Sequence, residues 1–216
     1  KLFQLAKSYK RKYKLKIGVV NFDPMPKMFF NKNLKNFRLS NIDQKIKLLT
    51  NLKVDFVITK KFDKKFSKTK ALNFIVQILS KKLVSKFIFV SNNFRFGNKR
   101  EGNVRELIKY ESVCDYKIVK PKPFKTNKRI TSSSLIRSYL RNGNLTKANK
   151  LLNRKWSIIG KVEKGRQLGK KIGFPTANID IENYVLACPG VYSVKVKIQN
   201  SSRFIKGIAN LGYRPT

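Results

Sequence analysis

The periodicity of the apolar residues changes once along this chain, near residue 155, and that change limits the possible folds more than any other feature. Before it, short apolar runs alternate with helical stripes. Leu15–Phe22 (LKIGVVNF), Val54–Thr59 (VDFVIT), Phe87–Ser91 (FIFVS) and Tyr116–Val119 are short and apolar enough to be buried strands. Between them, Ile42, Ile46, Leu49 and Leu52, and then Leu72, Ile75, Val76, Leu79 and Leu83, recur at helical spacing. Leu2–Tyr13 and Glu101–Tyr110 are also expected to be helical. So are Ser134–Arg141 and Leu145–Leu152, which an Asn142-Gly143-Asn144 break separates. Strands alternating with helices in this way predict βαβ units and a mainly parallel sheet, with a ligand crevice at the carboxyl ends of the strands. The loops after Phe22 and after Ser91 leave from that edge.

After Arg154 the helical stripes stop. Tyr192, Val194, Val196 and Ile198 alternate with Ser193, Lys195 and Lys197, the period-two pattern of a half-buried antiparallel strand. Trp156–Val162 and Arg203–Asn210 read as further strands. The expected organisation is therefore an α/β domain over 1–154 and an all-β module over 155–216. The second is short for an independent barrel. There is no internal repeat and no low-complexity tract beyond a lysine bias.

That bias gives a net charge of +39, from 50 basic and 11 acidic residues. A charge of this size suits a nucleic-acid or anionic-membrane partner. Yet 38 of the cations are Lys and 12 are Arg, beside 20 Asn and 19 Ile. These abundant residues share A/T-rich codons, whereas phosphate-reading surfaces lean on the planar fork of Arg. Runs such as Lys7–Lys16 and Lys60–Lys70 therefore read as solvated faces. Histidine is absent, which excludes Ser–His and Cys–His dyads and His-ligated metals within these residues. Cys114 and Cys188 are far apart, forming neither a zinc motif nor a disulfide framework, as in a reducing compartment. No apolar run approaches the ~18 residues of a membrane span, and no secretory pattern opens the chain. A cytoplasmic protein is expected, and the start at Lys1 and stop at Thr216 suggest a fragment.

Five stretches have the composition to carry chemistry. In Thr131-Ser-Ser-Ser-Leu-Ile-Arg137, Ser132, Ser133 and Ser134 stand at a helix start and Arg137 one turn inside. Such an arrangement can hold an anion, or can be an ordinary serine N-cap. In Ser91-Asn-Asn-Phe-Arg-Phe-Gly97, Asn93 offers a polar edge and Phe94 or Phe96 a ring for stacking, unless the stretch is a turn with a core aromatic. Phe22-Asp-Pro-Met-Pro26 is a stiff loop after a strand, or a plain strand terminator. The longest string, Gly165 through Asn178, has three glycines that allow close approach to phosphate, plus Thr176 and Asn178 as hard oxygen donors suited to Mg²⁺. It can also be a glycine-rich hairpin. Gly207 through Thr216 is a second Gly/Asn loop.

The order of these pieces resembles the bifunctional bacterial riboflavin kinase/FAD synthetase family, essentially end to end. Gly173-Phe-Pro-Thr-Ala-Asn178 is similar to the kinase signature GFPTAN, and Asn210-Leu-Gly-Tyr-Arg-Pro-Thr216 to its NxGxxPT segment. Asn93-Phe-Arg-Phe-Gly97, Ser132-Ser-Ser-Leu-Ile-Arg137 and Phe22-Asp-Pro-Met-Pro26 are similar to the first module's NF/DF-x-FG, SSTxIR and FxPHP motifs. The resemblance implies a Rossmann-like nucleotidyltransferase domain followed by a riboflavin kinase-like β-barrel, truncated here. ATP, Mg²⁺ and the flavins riboflavin, FMN and FAD are the implied cofactors, substrates and products. No membrane partner is implied. Ser132, Ser133, Ser134 and Arg137 would meet ATP phosphates, and Asn93, Phe96 and Phe22 the adenine or flavin. Gly173, Phe174, Pro175, Thr176, Asn178 and Asn210 would bind the kinase's ATP, with Thr176 and Asn178 also holding the metal. Glu163 and Glu182 are expected at the surface.

The sequence departs from the family pattern at Met25, where the family has His, at Ser134 for Thr, and at Lys170 for Arg, which loses a bidentate fork. The family's HxGH motif would precede Lys1 and its kinase glutamate would follow Thr216, so this segment alone is expected to be inactive. Two other readings stand beside the enzyme: a basic nucleic-acid-binding α/β protein, and a relative that binds flavin without turnover.

Overall fold

Valine and isoleucine set between turn residues give the first extended segments, as their stiff branched side chains favour the pleated backbone. The computed structural model describes residues 2–126, 129–164, 173, 175–181, 183–199 and 201–212. The chain divides into two compact units. The first comprises Lys1–Lys32 and Lys45–Ile130, and the second Asn33–Gln44 and Thr131–Thr216.

In the first unit, helix α1 (Leu2–Tyr13) leads into β1 (Gly18–Asp23) and the short α2 (Pro26–Phe30). Helix α3 (Ile42–Asn51) precedes β2 (Phe56–Lys61), and α4 (Lys64–Ser67) follows it. Next come α5 (Ala71–Asn73), a π-helical segment over Phe74–Lys82, and β3 (Phe87–Phe89). The small hairpin of β4 (Arg95–Phe96) and β5 (Gly102–Asn103) precedes α6 (Val104–Lys109), β6 (Lys117–Val119), β7 (Lys125–Thr126) and β8 (Arg129–Ile130).

β1 pairs with β2 in parallel, Gly18 opposite Phe56 and Asp23 opposite Lys61. β3 pairs with β6 in parallel, Phe87 opposite Lys117. All four expected strands form, and all their pairings are parallel. The expected single sheet does not: among the described residues these are two separate pairs. Nor is the first run a fully buried strand. Its most buried residue is the polar Asn21, whose Oδ1 accepts from Lys45 Nζ, while Val20, Phe56 and Ile58 stay 36–42% exposed.

The core of this unit gathers Phe74, Ile75, Leu79, Phe96, Leu107 and Tyr116, with Tyr116 donating its hydroxyl to Leu107 O at 2.7 Å. The stripe expected to be an α-helix winds as a π-helix, with Leu83 N–H donating to Ile78 O at 2.9 Å. Of its buried residues, Phe74 and Ile75 lie five and four positions before Leu79. Helix α6 starts at Val104 and not at Glu101, because Gly102 is taken into the hairpin and Asn103 caps the helix, its Oδ1 accepting from Arg105 and Glu106 N–H. Outside the core, Tyr9 and Tyr13 of α1 pack on Phe87.

In the second unit, α7 (Ser133–Arg141) and α8 (Leu145–Leu152) flank the predicted break. Among the described residues four strands follow: β9 (Val162–Glu163), β10 (Asn178–Ile179), β11 (Gly190–Val196) and β12 (Ile205–Leu211). β9 and β10 are antiparallel, as are β11 and β12, with Tyr192 opposite Ala209. Tyr192 and Val194 lie on the half-buried face of β11 and Ser193 and Lys195 on the exposed one, but the expected buried face ends there, since Val196 and Ile198 are exposed. The expected strand over Trp156–Val162 shrinks to β9. Side chains take its backbone groups before a ladder can: Trp156 N–H donates to Asn149 Oδ1 at 2.6 Å and Ile159 N–H to Tyr184 Oη at 3.1 Å.

The core here is Ile136, Leu140, Ala148, Val185 and Ala187, with Leu39 and Trp156 packed against it. Leu39 belongs to the strap 33–44, which joins this unit although it precedes most of the first in sequence. Among the described residues no helix is long and apolar enough to cross a membrane.

Candidate functional site

The start of α7 is built by Ser132. As N-cap its Oγ accepts from Leu135 N–H at 3.2 Å, which leaves the hydroxyl proton outside that bond. Ser133 and Ser134 begin the first turn, and all three serines are exposed. With the unpaired N–H groups of the helix start they form a donor-rich, positively polarised end.

Arg137 lies one turn further on and is half-buried. Its Nε–H donates to Phe37 O at 2.7 Å, and its guanidinium carbon sits 3.6 Å from the centre of the Phe37 ring. Burial first, and then the neighbouring charge of Arg141, lowers its pKa from the ordinary arginine value. A guanidinium held by Nε and one face still has its Nη edge for a planar anion.

Phe22, Asn93 and Phe96 lie in the first unit, and Ser132, Ser133, Ser134 and Arg137 in the second. Asn93 is exposed, and its Oδ1 accepts from Ser91 Oγ at 2.8 Å. Phe96 is only 7% exposed and packs on Phe74, with ring centres 5.4 Å apart. It is a core aromatic, so its half-buried neighbour Phe94, stacked on it at 5.5 Å, has the more accessible ring. Phe22 is half-buried against Phe62 and Phe66. Met25 is the N-cap of α2 and makes no side-chain cap bond.

On the kinase side, Gly173 has φ +82°, a conformation that favours glycine, and among the described residues nothing lies within 4 Å of where its Cβ would stand. Pro175 and Thr176 are exposed, and Asn178 opens β10 opposite Glu163, which is exposed as expected. Asn210 is exposed on β12, opposite Val191. The two strand pairs that carry Asn178 and Asn210 are separate among the described residues. Phe174, Lys170, Glu182 and the stretch from Tyr213 to Thr216 lie outside the described residues. Among those described there is no cluster of three or more His, Cys, Asp or Glu to hold a metal. Thr176 and Asn178 supply oxygen donors of the hard kind, and Mg²⁺ commonly takes few protein ligands and completes its shell with phosphate and water.

Nothing in the sequence pointed to Phe37 as a partner for Arg137. They are 100 residues apart, and no local pattern links a loop phenylalanine to a helix arginine.

Parallel-strand α/β structure in the first unit and antiparallel β pairs towards the end of the second place the chain in a class of two-module proteins. Residues 1–135 match the family model described as FAD synthetase, and residues 152–216 that described as riboflavin kinase. A bifunctional riboflavin kinase/FMN adenylyltransferase of Buchnera aphidicola subsp. Acyrthosiphon pisum is 37% identical over 216 residues, covering 100% of this chain and 69% of that protein. The Escherichia coli K12 protein of the same description is 36% identical over 95% of this chain and 66% of its own length. This chain thus spans about two thirds of the length of such relatives. A crystal structure described as a macrolide-efflux protein from Streptococcus pneumoniae superposes with a TM-score of 0.80 at 26% identity, covering 100% of this chain and 69% of that one. The chain belongs to the bifunctional riboflavin kinase/FMN adenylyltransferase family.

Proposed function

We propose that the protein carrying this chain makes FAD from riboflavin in two ATP-dependent steps. The observation that carries this reading is the matching of both family models, in order, on one chain. In the first step the terminal ribityl hydroxyl of riboflavin attacks the γ-phosphorus of ATP, giving FMN and ADP. In the second, a phosphate oxygen of FMN attacks the α-phosphorus of another ATP, giving FAD and pyrophosphate. Both are in-line displacements, in which the protein chiefly positions the reactants and neutralises oxygen charge.

For adenylylation, the donors at the start of α7 and the Nη edge of Arg137 bind and orient the triphosphate. The half-buried setting of Arg137 strengthens its pull on phosphate oxygens. Phe22 and the Asn93–Gly97 loop border the planar ring. For the kinase step, Gly173, Phe174, Pro175, Thr176, Asn178 and Asn210 cradle ATP, and Thr176 and Asn178 would hold Mg²⁺. Bound there, the ion would neutralise phosphate charge as the γ-phosphoryl leaves. The boundary near residue 155 and the Rossmann-like and barrel-like architectures belong to this proposal. So does a cytoplasmic setting, which suits the two free cysteines.

The test is turnover by the full-length protein, with calorimetry of ATP, riboflavin and FMN binding. Riboflavin and ATP should yield FMN and then FAD. Failure to take up any of the three ligands defeats the proposal, and tight salt-dependent binding of DNA or RNA in their place would favour a nucleic-acid role.

A further inference from the structure

The tether on Arg137 makes it the most constrained charged side chain of the candidate site. A free arginine loses rotamer entropy when a ligand orders it. Here that ordering is already done, by the Phe37 carbonyl at 2.7 Å from Nε and the Phe37 ring 3.6 Å from the guanidinium carbon. The clamp is itself anchored. Arg38 N–H donates to Asn183 O at 2.8 Å, and Val185 N–H to Arg38 O at 2.7 Å. Trp156 Nε1–H donates to Leu39 O at 3.1 Å, and Arg154 Nη2 to Ser40 Oγ at 2.8 Å. Three consecutive residues of the strap, Arg38, Leu39 and Ser40, are thus held directly after Phe37, which limits how far its backbone carbonyl can move with the side chain it holds. Any residue can present a carbonyl at position 37, but the ring face is specific to an aromatic side chain.

We propose that Phe37 is a positioning residue for Arg137, fixing the plane of its guanidinium so that the Nη edge meets the phosphates of the adenylylating ATP. The inference rests on the placement of Arg137 at that ATP.

The experiment uses the full-length protein and measures FMN adenylylation and riboflavin phosphorylation side by side. Phe37→Ala should raise the KM for ATP in adenylylation about tenfold, in line with a partly desolvated cation–π contact. The KM for FMN and the kinase rate should stay within twofold. Phe37→Tyr, which keeps the ring, should restore the KM for ATP. In an Arg137→Ala background, Phe37→Ala should add less than twofold, since the group it positions is gone.

An unchanged KM for ATP in Phe37→Ala overturns the inference, as does a full additional loss in the Arg137→Ala background. If Phe37→Ala lowers the melting temperature or the kinase rate, Phe37→Leu takes its place, filling the volume without a ring face. Leucine working as well as phenylalanine also overturns the inference. Intact adenylylation in Arg137→Ala alone overturns the placement of Arg137 itself, and this result is separate from any Phe37 outcome.

Discussion

Arg137 and Glu111 show two opposite uses of a charged side chain. Arg137 is held partly out of water, and in its proposed role at the ATP phosphates Arg137→Ala should remove at least 100-fold of FMN adenylylation while sparing FMN formation, measured by separating the two products. Glu111 is structural. Its Oε1 accepts from Ile118 N–H of β6 at 2.7 Å and its Oε2 pairs with Lys117 at 3.3 Å. The Ile118 hydrogen bond, ahead of the Lys117 contacts, lowers its pKa from the usual carboxylate value. A depressed carboxylate pKa contributes stability that is present above the unfolded-state value and is lost as pH falls through the folded one. Glu111→Ala should therefore cost about 1–3 kcal/mol at neutral pH by orphaning the Ile118 amide. That cost should shrink under acid, as denaturant melts at neutral pH and near pH 3 would record.

At the level of elements, those with a local cause were legible in the sequence and those with a distant cause were not. Helices α7 and α8 and the break between them are visible in Ser132, Asn144 and the glycine that separates them, because a cap acts within one turn. Strand β11 is visible in its alternation. The lost strand over Trp156–Val162 was not foreseeable, since the groups that claim its backbone, Asn149 and Tyr184, lie outside the run. The ring of Phe96 reads equally well as a ligand platform or as core, and only packing against Phe74 assigns it to the core. The hairpin of β4 and β5 turns on Gly97, with φ +77°, where a Cβ would come within 2.8 Å of Ala71 N. Gly97→Ala should lower stability by at least the roughly 1–3 kcal/mol of a forced backbone conformation, read from thermal melts. On the kinase side, Thr176→Ala should abolish FMN formation and leave adenylylation of supplied FMN intact. Equal loss of both activities would contradict two separate sites.

For the whole molecule, the dominant property is charge. At +39 the protein repels itself and attracts anions from a distance. Of the proposed substrates, ATP and FMN are anions and riboflavin is not. Raising salt from about 50 to 300 mM should therefore lower kcat/KM for ATP several-fold, while the KM for riboflavin moves less than twofold, as initial rates across a salt series would show. With 38 lysines and 11 acidic residues in the sequence, ion pairs such as Lys10–Asp55, Lys86–Asp115 and Lys117–Glu111 can neutralise only a minority of the cations. The two-module plan was visible in the change of periodicity.

The strap over 33–44 makes the second unit discontinuous in sequence. Leu39 and Ser40 partner Trp156 and Arg154, and Gln44 meets both Ser157 and Tyr184. Cutting the gene at residue 155 would sever the pairings of Leu39 with Trp156 and of Gln44 with Ser157 and Tyr184, even though the cut falls close to residue 152, where the second family match begins. A polypeptide begun there should emerge less soluble and more readily digested than the same residues left in the parent, unless a peptide spanning 33–44 is supplied alongside it.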